Sequence, residues 1–358
     1  MTIGPRTIPV VEHELLVLDF AVLTEFVRTG ARHRVLVVAP LAGAYPVILR
    51  DLVVGLLRHA NVAITDWRDP CCVPAASGDF GLAENIAYVL AMMREMGPDT
   101  HVVGVCQGTI PALAATALLA TMDVAAGPHS LTLMAGPVDP LVNPTRVVRA
   151  ARGHSPEWFE RRAMRTVPDG FAGKGRRIYP ASAQLTTLTH YLARHWLFGE
   201  VFLKLWYDDG EDPVRFPFAT LVTRLMNLPA ELVLDMMRQV FVERALCTGR
   251  LAALGRPVLP GDITRTGLMT IEGENDDIAA PGQTYAAHGI CTGIPDNLRR
   301  HLSVANTGHF SLFHGSRWRS TVLPALVQFF CDTEAARRTR PSAAKKARLA
   351  GEPPLAAT

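Results

Sequence analysis

The chain has 358 residues, 49% hydrophobic and only 19% charged, so it is long enough for one large core and too apolar to be disordered. The net charge is only +3, and part of the basic excess sits in the last 25 residues, which excludes the basic surface of a nucleic-acid binder over the body. No window holds the ~18 uncharged apolar residues that a membrane helix needs.

Near the N-terminus, Asp19 and Glu25 interrupt the apolar stretch and no basic segment precedes it, so no secretory signal is expected. Arg34-Val35-Leu36-Val37-Val38-Ala39-Pro40 is a short apolar run ended by proline, which suits a buried strand. Residues 51–59 read as a helix and residues 62–67 as a second strand. Residues 82–96 place apolar side chains at helical spacing and stop at Gly97-Pro98. A third strand follows over 101–105, an alanine-rich helix over 110–121 with Pro111 in its first turn, and a fourth strand over 130–134. Strands alternating with helices imply a mostly parallel sheet flanked by helices on both faces.

That rhythm breaks after about residue 145. Residues 147–256 carry helical patterns rich in aromatics, with no convincing strand, and are expected to form a helical cap insertion. The aromatics there (Trp158, Phe159, Tyr191, Trp196, Phe202, Trp206, Tyr207) could meet a ligand or form the insertion's own core. The rhythm returns with a strand over 267–273, a helix-then-strand pattern over 296–304 and a last helix over 320–331. The expected organisation is therefore a core in two parts, 1–145 and 263–332, a cap over 146–262, and a disordered basic tail over 333–358 carrying Arg337, Arg338, Arg340, Lys345, Lys346 and Arg348.

Gly104-Val105-Cys106-Gln107-Gly108 lies between a predicted strand and a predicted helix. It has the form G-x-C-x-G, a nucleophile elbow with sulfur in place of oxygen. The sharp turn needs small neighbours, and a helix starting right after Cys106 favours negative charge on its sulfur. The backbone N–H of Gln107 is then one oxyanion-hole donor, and a second is expected from Leu41 or Ala42 in the loop after Pro40. The acid should follow a late strand. Gly273-Glu274-Asn275-Asp276-Asp277-Ile278 fits, with Asp276 preferred and Asp277 the alternative. The base should come last, and His309 in Asn306-Thr307-Gly308-His309-Phe310 fits that order; His288, His301 and His314 are competitors with weaker context. Nucleophile, acid and histidine in this order on a parallel sheet give the α/β-hydrolase fold. Cys106 and Asp276 are separated by 276 − 106 = 170 residues, and the insertion accounts for that length. The remaining cysteines (Cys71, Cys72, Cys247, Cys291, Cys331) have no metal-ligand spacing, so free thiols in a reducing cytoplasm are expected, with no metal and no cofactor.

Several stretches together resemble the intracellular polyhydroxyalkanoate (polyhydroxybutyrate) depolymerases. They are Ile64-Thr65-Asp66-Trp67, Gly97-Pro98-Asp99-Thr100-His101-Val102, the Val105-Cys106-Gln107 core, Leu133-Met134-Ala135-Gly136-Pro137-Val138-Asp139 with Asn143-Pro144-Thr145, and Ile178-Tyr179-Pro180. Glu272-Gly273-Glu274-Asn275-Asp276-Asp277-Ile278, Gly308-His309-Phe310 and Gly315-Ser316-Arg317-Trp318-Arg319 complete the set, which spans residues 33–330. The resemblance implies a cysteine hydrolase of storage polyester, acting at granules in the cytoplasm without a metal, with its triad on Cys106, Asp276 and His309. One position departs. Gly108 stands where that family often has proline, and the box is then closer to the G-x-C-x-G-G of related polyester synthases, with Thr109 at the last glycine. A synthase-like acyltransferase and an inactive granule-binding protein are the alternatives.

Overall fold

Among the described residues eight strands hydrogen-bond into one sheet, and their side chains explain why. The computed structural model describes residues 2–3, 6–41, 46–186 and 225–339. In chain order the strands are β1 (Val10–Val17), β2 (Ala21–Arg28), β3 (His33–Val38), β4 (Ala60–Trp67), β5 (His101–Val105), β6 (Ser130–Met134), β7 (Gly267–Gly273) and β8 (Arg299–Val304). Their spatial order is β8-β7-β6-β5-β3-β4-β2-β1. The six strands from β3 to β8 run parallel, while β1 and β2 form an antiparallel hairpin on the β4 edge. Val35 to Val38, Val102, Val103, Leu131, Leu133 and Leu268 are all buried, as strands covered on both faces require.

Helices α1 (Arg50–Leu56), α2 (Leu82–Met96), α3 (Thr109–Met122) and α4 (Leu323–Thr339) supply that cover. Helix α2 ends where Gly97 takes a left-handed φ of 75° before Pro98. Nearly every side chain of α3 is buried, so this helix is core rather than surface. Among the described residues no helix is long and apolar enough to cross a membrane.

The structure corrects the sequence reading at three places. The hairpin β1–β2 was not anticipated: β1 sets Glu12, His13 and Glu14 between apolar runs and is largely exposed, so it shows no clean alternation. Within the insertion, Arg165–Thr166, Arg177–Tyr179 and Leu228–Pro229 form a small antiparallel sheet, and Ala252–Ala253 pairs with Arg256–Pro257. Strands of two or three residues are too short to produce a period. Finally, α4 continues through residue 339, into the segment expected to be a disordered tail. Thr333 is buried against Gly267, and the Arg337 guanidinium donates to the carbonyls of Pro98, Ala125 and Gly127. Alanine and arginine are strong helix formers, and packing completes what their propensity begins. Residues 340–358, Ala42, and the aromatics Tyr191, Trp196, Phe202, Trp206 and Tyr207 lie outside the described residues.

The insertion grips the core by specific polar contacts. Asp235, at the end of the helix Ala230–Asp235, accepts from the backbone N–H of Leu82 at 3.1 Å, satisfying an orphan donor at the start of α2. Arg244 forms a two-pronged pair with the buried Asp139, in the loop that follows β6. Replacing Asp235 by alanine should lower the stability of the whole chain by ~1 kcal/mol, the usual cost of losing a helix cap. A urea midpoint identical to wild type would show that this contact contributes nothing.

Candidate active site

Cys106 stands at the C-terminal end of β5, where a single turn (Cys106–Gly108) reverses the chain into α3. Its φ is 52°, a left-handed conformation that a residue with a side chain adopts at a cost of ~1–3 kcal/mol. The surroundings enforce it. A Cβ on Gly108 would lie 2.4 Å from the carbonyl oxygen of Val38, at the end of β3. A Cβ on Gly104 would lie 3.0 Å from Ala112, Gly108 and Thr109. Both glycines therefore allow α3 to close onto the sheet, and Cys106 is left half-buried at the apex. Any side chain at 108, proline included, would collide with Val38 here.

The acid and the histidine arrive on the loops that follow β7 and β8, beyond β6 in the sheet. Gly273 ends β7, and a Cβ there would lie 2.4 Å from the carbonyl oxygen of Thr307. That close approach locks the 273–278 loop to the loop that carries His309. Asn275 N–H donates to the same Thr307 carbonyl at 3.0 Å. Asp276 then accepts at Oδ1 from the N–H groups of Ile278 and Ala279, both at 2.8 Å. Its Oδ2 faces His309 Nδ1 at 2.7 Å. Asp276 is 3% exposed and His309 2%, so this is a fully desolvated pair. The carboxylate that receives His309 is thus Asp276 and not its neighbour Asp277. The Cys106 sulfur lies close enough to the imidazole to help raise its pKa.

Burial is the largest influence on the His309 pKa and opposes the imidazolium. The Asp276 charge, the Cys106 sulfur and the hydrogen bonds to both outweigh it and raise that pKa well above the ordinary histidine value. The competing histidines are engaged elsewhere. His288 and His301 both bond the Thr270 hydroxyl, at 2.9 and 2.8 Å, and His314 lies 3.2 Å from Asp51. Three of the other cysteines are set up as inert thiols. Burial pushes Cys291 up to about 12, burial and the nearby Asp69 do the same for Cys71, and burial with Asp139 raises Cys247 to about 11. Gln107 is half-buried directly after Cys106, and Leu41 is buried in the segment after β3.

Sequence reasoning passed over the residues that hold these loops in place. Glu272 is 2% exposed at the end of β7. Its carboxylate accepts from the backbone N–H groups of Gly282, Thr284 and Tyr285 at 2.9, 2.7 and 2.8 Å, folding the segment after Asp276 back onto the sheet. The Thr284 hydroxyl accepts from Gly136 N–H at 2.8 Å and bonds its carbonyl at 3.0 Å. Thr109 donates to the Cys106 carbonyl at 2.7 Å, and only a glycine at 136 leaves room for its side chain. Thr109, Gly136, Thr284 and Glu272 thus connect the elbow to the acid loop. The one available signal was a glutamate inside an otherwise apolar strand.

A family model described as PHB de-polymerase C-terminus matches residues 135–334. No curated protein matches the chain in sequence. Among solved structures, a lipase candidate from Acinetobacter baumannii AYE superposes with a TM-score of 0.52 at 13% identity, over 91% of this chain and 93% of that one. An aryl esterase candidate from Burkholderia cenocepacia gives 0.52 at 13%, over 91% and 100%. A thermophilic esterase from Thermogutta terrifontis gives 0.51 at 13%, over 91% and 99%. These likenesses establish the α/β-hydrolase fold.

Two outcomes test the geometry. Gly108→Ala should cost ~1–3 kcal/mol in chemical unfolding, because the Val38 backbone has to move. For His309, a folded-state pKa above the unfolded value means that protonation stabilises the fold fully below the ordinary ~6.5, and that this contribution disappears as pH rises through the raised value. The stability gap between wild type and His309→Gln, read from urea midpoints, should therefore narrow above about pH 6.5. A gap that stays constant would show that His309 has no raised pKa.

Proposed function

The chain belongs to the PHB de-polymerase C-terminus family, and on that basis we propose that it is an intracellular depolymerase that hydrolyses storage polyester through Cys106, His309 and Asp276. The family makes it a carboxylic ester hydrolase. The observation that supports the finer reading is the meeting of a buried carboxylate with the imidazole, and of the imidazole with the Cys106 sulfur, on loops at the C-terminal ends of β5, β7 and β8.

In this reading Cys106 gives its proton to His309, and Asp276 holds the resulting imidazolium through Nδ1. The sulfur adds to an ester carbonyl of the polymer. The N–H of Gln107, with that of Leu41 or Ala42, receives the oxyanion. The intermediate collapses with loss of the alcohol end of the cleaved chain, which takes the proton from His309, and a thioester on Cys106 remains. Water adds to the thioester as His309 removes its proton. The hydroxyacid leaves and the thiol is restored. Each cycle consumes one water and one ester bond and requires no metal or cofactor. The substrate places the protein at the surface of polyester granules in the cytoplasm.

Purified protein incubated with amorphous polyhydroxybutyrate granules should release 3-hydroxybutyrate or its oligomers. Cys106→Ala should reduce release by more than ~10⁴-fold and Asp276→Asn by about 10⁴-fold. Granule binding without release by the wild type would sink the hydrolase reading. Release of CoA with growth of polymer from hydroxybutyryl-CoA would instead mark an acyltransferase.

A further inference from the structure

At the opposite end of the sheet, where the parallel strands begin, a second group of chemically able side chains comes together. His33 opens β3, His101 opens β5, and Glu334 projects from α4. Both histidines are buried. Glu334 Oε1 lies 2.6 Å from His33 Nδ1 and 3.2 Å from His101 Nε2. One nitrogen from each ring and one carboxylate oxygen all fall within 4.8 Å of one another. We propose that His33, His101 and Glu334 form a binding site for a divalent transition metal of the zinc class, separate from the candidate active site.

The donor geometry fits with little adjustment. Tetrahedral zinc with bonds of ~2.0–2.1 Å to nitrogen and oxygen needs its ligand atoms roughly 3.3 Å apart. The His101–Glu334 contact is already at that spacing, the His33–Glu334 contact opens by roughly 0.7 Å to reach it, and the two ring nitrogens start within 4.8 Å of each other. Each ring is also held from behind, as metal-ligating imidazoles generally are. His101 Nδ1 faces the Ser130 hydroxyl at 2.8 Å, and His33 Nε2 faces Cys331 Sγ at 3.8 Å. Phe330 stacks on His101 with ring centroids 4.1 Å apart and meets His33 edge-on at 5.7 Å. When a metal enters, each neutral ring carries its proton on the outer nitrogen, toward Ser130 or Cys331, and turns the inner lone pair to the ion.

The surroundings select the kind of ion. Arg338 lies 3.5 Å from Glu334 Oε2, which leaves Oε1 as a single oxygen donor. Two imidazoles and one oxygen suit zinc, cobalt or nickel, whereas calcium and magnesium require a shell of oxygens. Arg32, Arg34 and Arg337 line the same cleft and further disfavour an ion held by charge alone. The cleft, of about 520 Å³, opens onto His33 and Glu334, giving an entry path and room for water as the remaining ligand. A bound ion would tie the starts of two central strands to the C-terminal helix. The three ligands stand at positions 33, 101 and 334, so no spacing rule could reveal them.

The test uses the full chain carrying Cys106→Ala, so that the catalytic thiol cannot contribute, after treatment with a chelator. Zinc is titrated calorimetrically, and cobalt is followed by its visible absorption. One equivalent should bind, with a visible cobalt spectrum of four-coordinate type and a melting temperature that rises with zinc concentration. His101→Gln and Glu334→Gln should each weaken binding by more than ~100-fold, and Ser130→Ala by about 10–100-fold. Should either ligand variant fail to fold, the Ser130→Ala result decides. Absence of one-equivalent binding in the folded protein overturns the site, as does affinity unchanged in His101→Gln and Glu334→Gln, or in Ser130→Ala where that variant decides.

Discussion

The 2.7 Å contact between His309 and Asp276 sets the terms for the loops around it. Both groups are almost completely removed from water. A buried carboxylate without enough donors costs several kcal/mol, so its site must supply them. The 276–279 turn supplies two backbone N–H groups to one oxygen and His309 serves the other. Charge-assisted hydrogen bonds are worth about 1.5–3 kcal/mol each, and here they hold the acid and align the imidazole at once. Glu272 repeats the device one turn earlier in the chain, with three backbone donors and no imidazole. One buried carboxylate positions the histidine, and the other positions the segment on which the first depends.

The elbow meets the same demand from the other side. Cys106 is held in a disfavoured conformation because α3 approaches the sheet closely enough that position 108 cannot carry a Cβ beside the Val38 carbonyl. Thr109 makes the next contact, with its hydroxyl on the Cys106 carbonyl and its side chain against Gly136. Position 109 is where the related synthase box has a glycine. In this chain Gly136 lies across the interface, and the Thr109 side chain fills the space that its missing Cβ leaves. The Gly-Thr pair at 108–109 is therefore explained by packing within this chain, and the difference from the related boxes does not by itself indicate a different reaction.

How much of this was legible in the sequence depended on length and order. Strands β5, β6 and β7 and helix α2 were read to their observed ends because each is a continuous apolar or periodic run closed by a glycine, a proline or a polar cap. The order of Cys106, Asp276 and His309 was legible because connections at the C-terminal ends of parallel strands carry the functional loops. The β1–β2 hairpin and the two- and three-residue strands of the insertion were not, because β1 is exposed without alternation, Thr24 and Glu25 interrupt the buried run of β2, and the others are too short to show a period. Residues 333–339 were misread because Ala and Arg describe a soluble tail and an amphipathic helix equally well. Glu272, Thr109 and Thr284 escaped because a buried polar residue acquires its meaning from a partner far along the chain.

A parallel sheet has two chemically different ends, and this chain places polar groups at both. At the C-terminal ends, loops leave the strands freely and can be shaped around a reacting group. At the N-terminal ends the strands begin inside the core, so a side chain there is fixed by the sheet register itself. Residues 101 and 130 pair directly between β5 and β6, which brings the Ser130 hydroxyl to His101. His33 and His101 open strands that neighbour each other in the sheet, and α4 covers them with Phe330, Cys331 and Glu334. Groups held this rigidly cannot easily follow the changing geometry of a reaction, but they are well suited to hold a fixed one. The same topology thus brings Cys106, Asp276 and His309 together on loops at one end and leaves the opposite end fit for a static site.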